Sequence, residues 1–308
     1  MDTSVMITLG FLVFAIVMFA WEKIPLSITA MIVAVGLHLS GVLSAKEAFA
    51  GFVDPNVLLF MGMFVIGEAF FATGVAVGVG NVVHKFAKTE TSLLVAVMMI
   101  TGVLSGFLSN TGTAAVLIPV IIGICKKSGF KQTKLLMPLV FAAAMGGNIS
   151  LIGAPGNMIA QAGLQQAGLG SFNFFDYGLV GLPILIVGTI FYATIGKRFL
   201  PDAPSHQPDG AFEGNDDYSH VPSWKKWTAA IILILTVVAM IFEKQLGVKL
   251  YVSAWIGALV LVATNVISET AAVKSIDMKT IMLFAGSMAL GDAMVKTGTG
   301  SVIADIIV

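Results

Sequence analysis

The sequence predicts an all-α polytopic membrane protein, built as inverted repeats with a re-entrant hairpin and a discontinuous helix, the second repeat truncated. Three observations predict it. The chain is 57% hydrophobic and only 11% charged, with a mean hydropathy of +0.95, a composition of multi-span membrane proteins and not of soluble domains. Two polar, breaker-rich clusters interrupt apolar segments at 105–113 and 146–157. A pattern of glycines, carboxylates and threonines recurs at a constant spacing of 224 residues.

The elements follow in order. Spans are expected at about 5–21, 24–43 and 56–73, then an amphipathic stretch to about 88. The first apolar segment follows Met1-Asp2 with no basic leader and no small-residue cleavage site, and so reads as a true span and not a signal peptide. From Thr91 to Cys125 the chain carries no charge. As one helix that stretch would be about 52 Å long at about 1.5 Å per residue, whereas two spans need roughly 40 apolar residues. A hairpin over 91–125, turning at Ser109-Asn110-Thr111, accommodates the length. Non-helical backbone inside a bilayer is tolerated only where it is buried in protein or lines a water-filled cavity, so the turn is a candidate ion or solute site.

A broken helix at 134–167 and a span at about 177–197 complete a first repeat, residues 1–199. Residues 200–224 read as a cytoplasmic linker with the densest acidic cluster of the chain, Asp202, Asp209, Glu213, Asp216 and Asp217. Spans at about 226–243, 249–267 and 279–295 form a partial second repeat, 225–308. Phe60, Gly62, Gly67, Glu68, Thr73 and Gly74 pair with Phe284, Gly286, Gly291, Asp292, Thr297 and Gly298. The second repeat stops where its own hairpin is expected, and the chain alone is not expected to transport.

Orientation follows from the basic residues, which concentrate in short cytoplasmic loops. With the N-terminus outside, all 17 Lys and Arg residues except Lys46, Lys244, Lys249 and Lys296 fall on the cytoplasmic side. The repeats then cross in opposite senses, the architecture of secondary transporters with sites at mid-membrane. Other classes are poorly served. Zero net charge leaves no basic surplus for nucleic acid, and one cysteine and four histidines make neither a disulfide framework nor a metal set. An intramembrane enzyme would need a base beside Ser109, and its segment holds no His or Asp.

Two clusters carry chemistry. Ser105 and Ser109 are spaced as one helical turn, below the Asn110 turn, and their hydroxyls with an amide oxygen form a hard-oxygen shell for a small cation. In Gly146-Gly147-Asn148-Ile149-Ser150-Leu151-Ile152-Gly153-Ala154-Pro155-Gly156-Asn157, glycines and a proline interrupt the helix and free its carbonyls and N–H groups. Half-helix ends then offer carbonyls to a cation and N–H groups to an anion.

The Ser-Asn-Thr turn, the Gly-Gly-Asn…Leu-Ile-Gly-Ala-Pro-Gly-Asn break and Gly181-Leu182-Pro183 resemble the divalent anion:sodium symporters, citrate-transporter-like permeases of the ion transporter superfamily. The resemblance implies an elevator-type symporter in the inner or plasma membrane, usually a homodimer, that carries a small anion. It places sodium, or H⁺ instead, on Ser105, Ser109 and Asn110 with carbonyls of the break including Gly153, and a substrate carboxylate on Asn110 and Thr111. The expected cation-binding set is Ser105, Ser109, Asn110, Gly147, Asn148 and Gly153. The expected substrate-binding set is Asn110, Thr111, Thr113, Pro155 and Asn157.

Glu68 and Asp292 sit near span ends and are expected to reach the interface; His38 is expected to be a helix–helix hydrogen-bond partner. Trp21, Trp224, Trp227, Phe172, Phe174 and Phe175 read as interfacial aromatics. The alternatives are a sodium/proton antiporter or an arsenite or anion efflux permease of the same superfamily, which would want a titratable carboxylate beside the hairpin.

Overall fold

The computed structural model describes residues 2–78, 89–200 and 218–307. The acidic linker cluster and the end of the expected amphipathic stretch lie outside these residues. Regular structure within them is helical. The α-helices are α1 (Thr3–Trp21), α2 (Leu26–Leu39), α3 (Ala45–Ala48), α4 (Pro55–Ala72), α5 (Glu90–Ser105), α6 (Asn110–Ser128), α7 (Thr133–Gly146) and α8 (Pro155–Gln166). They continue as α9 (Gly178–Thr194), α10 (Ser223–Ile241), α11 (Glu243–Leu246), α12 (Leu250–Ala263), α13 (Glu269–Ser275), α14 (Met278–Thr297) and α15 (Thr299–Ile307). Among the described residues, α1, α4, α10 and α14 are long and apolar enough to cross a membrane, and the chain is an all-α polytopic membrane protein.

The helices at 24–43 and 249–267 are shorter than expected. Both α2 and α12 have 14 residues and end in the same turn. Gly41 and Asn265 adopt left-handed φ angles of 77° and 58°. Val42 and Leu43 N–H then bond back to Leu37 O, as Val266 and Ile267 N–H do to Leu261 O. A left-handed residue here satisfies carbonyls that the helix end would strand.

These turns belong to a wider correspondence at the 224-residue spacing. Ser44 Oγ caps α3 through Glu47 N–H, and Ser268 Oγ accepts from Ala271 N–H. Thr73 Oγ1 donates to Ala69 O and Thr297 Oγ1 to Ala293 O, both at 2.7 Å. Gly74 and Gly298 follow with φ of 76° and 71°. Gly62 lies against Ala254, and Gly286 against Ala30.

The chain forms two compact units, Met1–Met61 with Met158–Ser171 and Ile276–Val308, and Gly62–Asn157 with Phe172–Ser275. In the first, Val33, Ala34 and Leu37 of α2 bury against Ala289 and Ala293 of α14, with Phe11 of α1 beside them. Phe60 and Phe284 meet edge to face at 6.0 Å. His38 Nδ1 pairs with Leu43 O at 3.1 Å, a bond within its own turn and not one to another helix. Lys296 Nζ donates to both Glu47 carboxylate oxygens at 2.8 Å. That bond, with those from Ser44, holds the exposed Glu47 carboxyl down at about 2. Asp292, expected at the interface, lines a cavity of about 430 Å³ with Glu47, Lys296 and Gln166.

In the second unit, Leu93, Leu94, Val97 and Met98 of α5 pack on Leu135, Leu139 and Ala142 of α7, with Leu117 and Ile121 of α6 and Leu185 of α9 closing the core. Lipid is as apolar as these side chains, so cohesion here comes from close packing. Gly146 provides it where α5 and α7 approach: a Cβ would run into the Gly102 backbone. This contact fixes the ends of α5 and α7, and hence the two loops that follow them, against each other.

Candidate functional site

The hairpin turn is built by local rules. Helix α5 ends at Ser105, and four residues later Ser109 begins α6 as its N-cap, in extended backbone (φ −63°, ψ 138°), with its Oγ accepting from Gly112 N–H at 3.0 Å. Hydroxyl capping satisfies one of the four orphan N–H groups of a helix start. Helix α7 ends at Gly146, and Pro155 opens α8 at the first helical position, where a missing N–H matters least.

The turn and the break meet. Ser105 is fully buried, and its hydroxyl lies 2.7 Å from Ala143 O. Ser150, equally buried, donates its hydroxyl proton to Gly106 O. A Cβ on Gly153 would meet Gly147 O and Gly106 O, and one on Gly147 would meet the Asn110 amide. The amide end of Asn110 that enters this cluster lies 2.5 Å from Ser105 Oγ, 3.1 Å from Ala143 O and 3.2 Å from Gly153 O. As NH₂ it donates to these oxygens, and Ser105 passes its one proton on to Ala143 O. As Oδ1 it faces two carbonyl oxygens and a hydroxyl that has a single proton to give.

That second orientation is the informative one. Four oxygens, from Ser105, Asn110, Ala143 and Gly153, then converge with too few protons to separate them. The NH₂ orientation supplies the missing protons. Buried polar groups left facing like groups cost about 1–3 kcal/mol each, so the closed cluster favours that orientation.

The remaining expected residues divide. Asn157 is a brace: its Nδ2 donates to Gly147 O and Ser150 O, both at 2.9 Å, and Tyr177 Oη donates to Asn157 O at 2.9 Å. Asn148 turns its amide to Ala144 O at 3.4 Å, while its backbone carbonyl lies against Gly181, which explains the glycine in the Gly181-Leu182-Pro183 motif. Thr111 and Pro155 are exposed in the first turns of α6 and α8. Thr113 is 1% exposed and its Oγ1 is without a partner among the described residues, as is Oγ1 of Thr101, one helical turn before Ser105. Ser109 is exposed, outside α5, so it shares no helical face with Ser105.

Three contributors escaped the sequence reading. The carbonyls of Ala143 and Gly106 carry no side-chain signal; Ser150 had one, as a lone hydroxyl among breakers. Phe174 is not interfacial: it is buried, stacks on Phe107 of the hairpin turn at 6.4 Å, and accepts from Leu151 N–H at 2.9 Å, tying turn and break together. Glu68 is half-buried and lines a cavity of about 100 Å³ with Ser109 and Gly112.

Comparison with known proteins gives the same direction. A family model described as citrate transporter matches residues 16–308. The uncharacterized transporter YfbS of Escherichia coli is 33% identical over 68% of this chain and 35% of its own length. An uncharacterized transporter of Haemophilus influenzae is 26% identical over 97% of this chain and 67% of its own length. Sodium/sulfate cotransporter 1 of Chlamydomonas reinhardtii is 27% identical over 64% of this chain and 23% of its own length. The chain thus spans about a third of the Escherichia coli relative.

Proposed function

The chain belongs to the citrate transporter family, and from that premise we propose a secondary active transporter in which sodium entry drives uptake of a small anion, a di- or tricarboxylate or sulfate. Transport, not covalent chemistry, is what the family does. The observation that carries the sodium assignment is the Asn110 amide end facing Ser105 Oγ, Ala143 O and Gly153 O. The sodium/sulfate cotransporter among its relatives supports it.

In this reading the cation joins turn and break. Ser105 and Asn110 reach from the hairpin, Ala143 and Gly153 from the broken helix, and the ion pulls the starts of α6 and α8 into register. Those two helix N-termini, with Thr111, Thr113 and Pro155 on them, then receive the anion through N–H groups and hydroxyls. None of the site residues is Lys or Arg, so sodium also offsets the anion's charge. Each ligand raises the other's affinity by the same factor, which is the coupling. The 224-residue correspondence supports a repeat; inverted repeats, a re-entrant hairpin, an elevator movement, a homodimer and an outside N-terminus are further parts of the same proposal.

Glu68 beside the hairpin favours one second reading, proton-coupled exchange or efflux of the same superfamily. Uptake of radiolabelled succinate, citrate and sulfate into proteoliposomes containing the full-length protein decides. Accumulation of one of them under an inward sodium gradient is the expected result. Accumulation under a proton gradient alone moves the coupling ion to H⁺, and silence under both favours exchange.

A further inference from the structure

We propose that residues 172–177 form a strap that positions Gly153 O for the cation, with Lys244 of α11 pinning it. The inference rests on the symport reading above and adds to it residues that touch neither ion nor anion.

The strap lies between α8 and α9 and holds the loop on both sides of Gly153. Two residues before it, Leu151 N–H donates to Phe174 O at 2.9 Å. Four residues after it, Asn157 O accepts from Tyr177 Oη at 2.9 Å. The same segment grips the hairpin turn. The buried Phe174 ring stacks on Phe107 at 6.4 Å, and Phe175 meets Phe107 edge to face at 6.3 Å. Aromatic pairs in these geometries attract beyond the area they bury. Gly153 O therefore sits in a loop whose two flanks, and the turn facing it, are all bound to one short segment.

The shape of the strap is fixed from its far side. Asn173 N–H and Nδ2 donate to Asp176 Oδ2 at 2.7 and 3.0 Å, and Asn173 Oδ1 accepts from Lys244 Nζ at 2.8 Å. The amide thus bridges a carboxylate and an ammonium, and the charge at each end strengthens its bond. Sodium makes these ties count. With the Asn110 amide as NH₂, Gly153 O has a donor 3.2 Å away. With Oδ1 turned to an ion that donor is gone, and the ties at Leu151 and Asn157 remain to hold Gly153 O in place. A contact worth more in the bound state than in the empty one raises affinity. Tyr177 and Lys244 are therefore positioning residues, acting on the ion through Gly153.

Equilibrium binding of ²²Na⁺ to the full-length protein in detergent, at constant ionic strength with choline, tests it. Tyr177→Phe, which keeps the ring and loses one hydrogen bond, is expected to weaken binding about 2- to 10-fold. Lys244→Ala, which loses an exposed tie, is expected to weaken it by up to about 5-fold, and Lys244→Arg, which keeps a charged donor, to recover part of the loss. Lys249→Ala is the control: it removes the same charge from a lysine that lies 3.8 Å from Glu243, and is expected to bind as the wild type does. Tyr177→Phe with wild-type affinity, while Asn110→Ala is weakened, overturns the strap and leaves the seat standing; so does a Tyr177→Phe that only melts earlier in choline. Lys244→Ala behaving as Lys249→Ala does overturns the pin, since surface charge then accounts for any change. A wild type that binds no sodium overturns the symport reading and the strap with it.

Discussion

In the full-length protein, Asn110→Ala is expected to reduce sodium-driven uptake to background while the protein stays folded. The substitution removes the one side chain of the hairpin turn that reaches both Ala143 O and Gly153 O. Ala143 O keeps its bonds from Ser105 Oγ and Gly147 N–H, so the break retains most of its ties. What is lost is the fourth oxygen of the proposed cation seat and the link between turn and break. A hydrogen bond or ligand to a charged group is worth about 1.5–3 kcal/mol, or roughly 10- to 100-fold in affinity. Initial uptake rates against sodium concentration, with a melting curve in detergent as the fold control, give the answer. A mutant with wild-type rates at every sodium concentration contradicts the assignment.

Gly153→Ala is expected to be strongly damaging. Its Cβ would sit 2.5 Å from Gly147 O and 3.0 Å from Gly106 O, and both neighbours are backbone. The methyl can be accommodated only by opening the turn from the break, which moves Gly153 O out of the seat. Overpacking of this kind costs about 1–3 kcal/mol, and here it falls on the geometry proposed to hold the ion. Gly156→Ala is the control: it lies three residues on, with nothing within 4 Å of the added carbon. A lowered melting temperature and a strongly raised sodium requirement are expected for Gly153→Ala alone. Equal behaviour of the two variants would mean that the carbonyl cluster is not what the transporter needs.

Much of this was legible in the sequence, because it depends on residues that act through the backbone. The uncharged length of 91–125 demands a turn, and glycines with Pro155 demand a break; both lie close to where they were expected. Ser105, Asn110, Gly147 and Gly153 lie together in the structure. What stayed hidden is which of several nearby acceptors a small polar side chain chooses. Ser109 caps α6, Asn148 bonds back to Ala144 O, and Asn157 braces the loop. Each had both a site and a local backbone group within reach, and local bonding of Ser and Asn competes with any other use. Glu68 was hidden for a different reason: its depth along α4 could be read, but the element facing it could not. The early ends of α2 and α12 follow from single left-handed residues, Gly41 and Asn265, inside otherwise continuous apolar runs.

The claim at the centre is that Ser105, Asn110, Ala143 and Gly153 hold sodium. The most direct test is a pair of high-resolution structures of the same protein, one in saturating sodium chloride and one in choline chloride. In sodium, density is expected at the centre of the four oxygens with Asn110 Oδ1 turned toward it; in choline, the Asn110 NH₂ group closes the cluster. A cluster closed by the amide NH₂ in both, with no density in saturating sodium, would contradict the account.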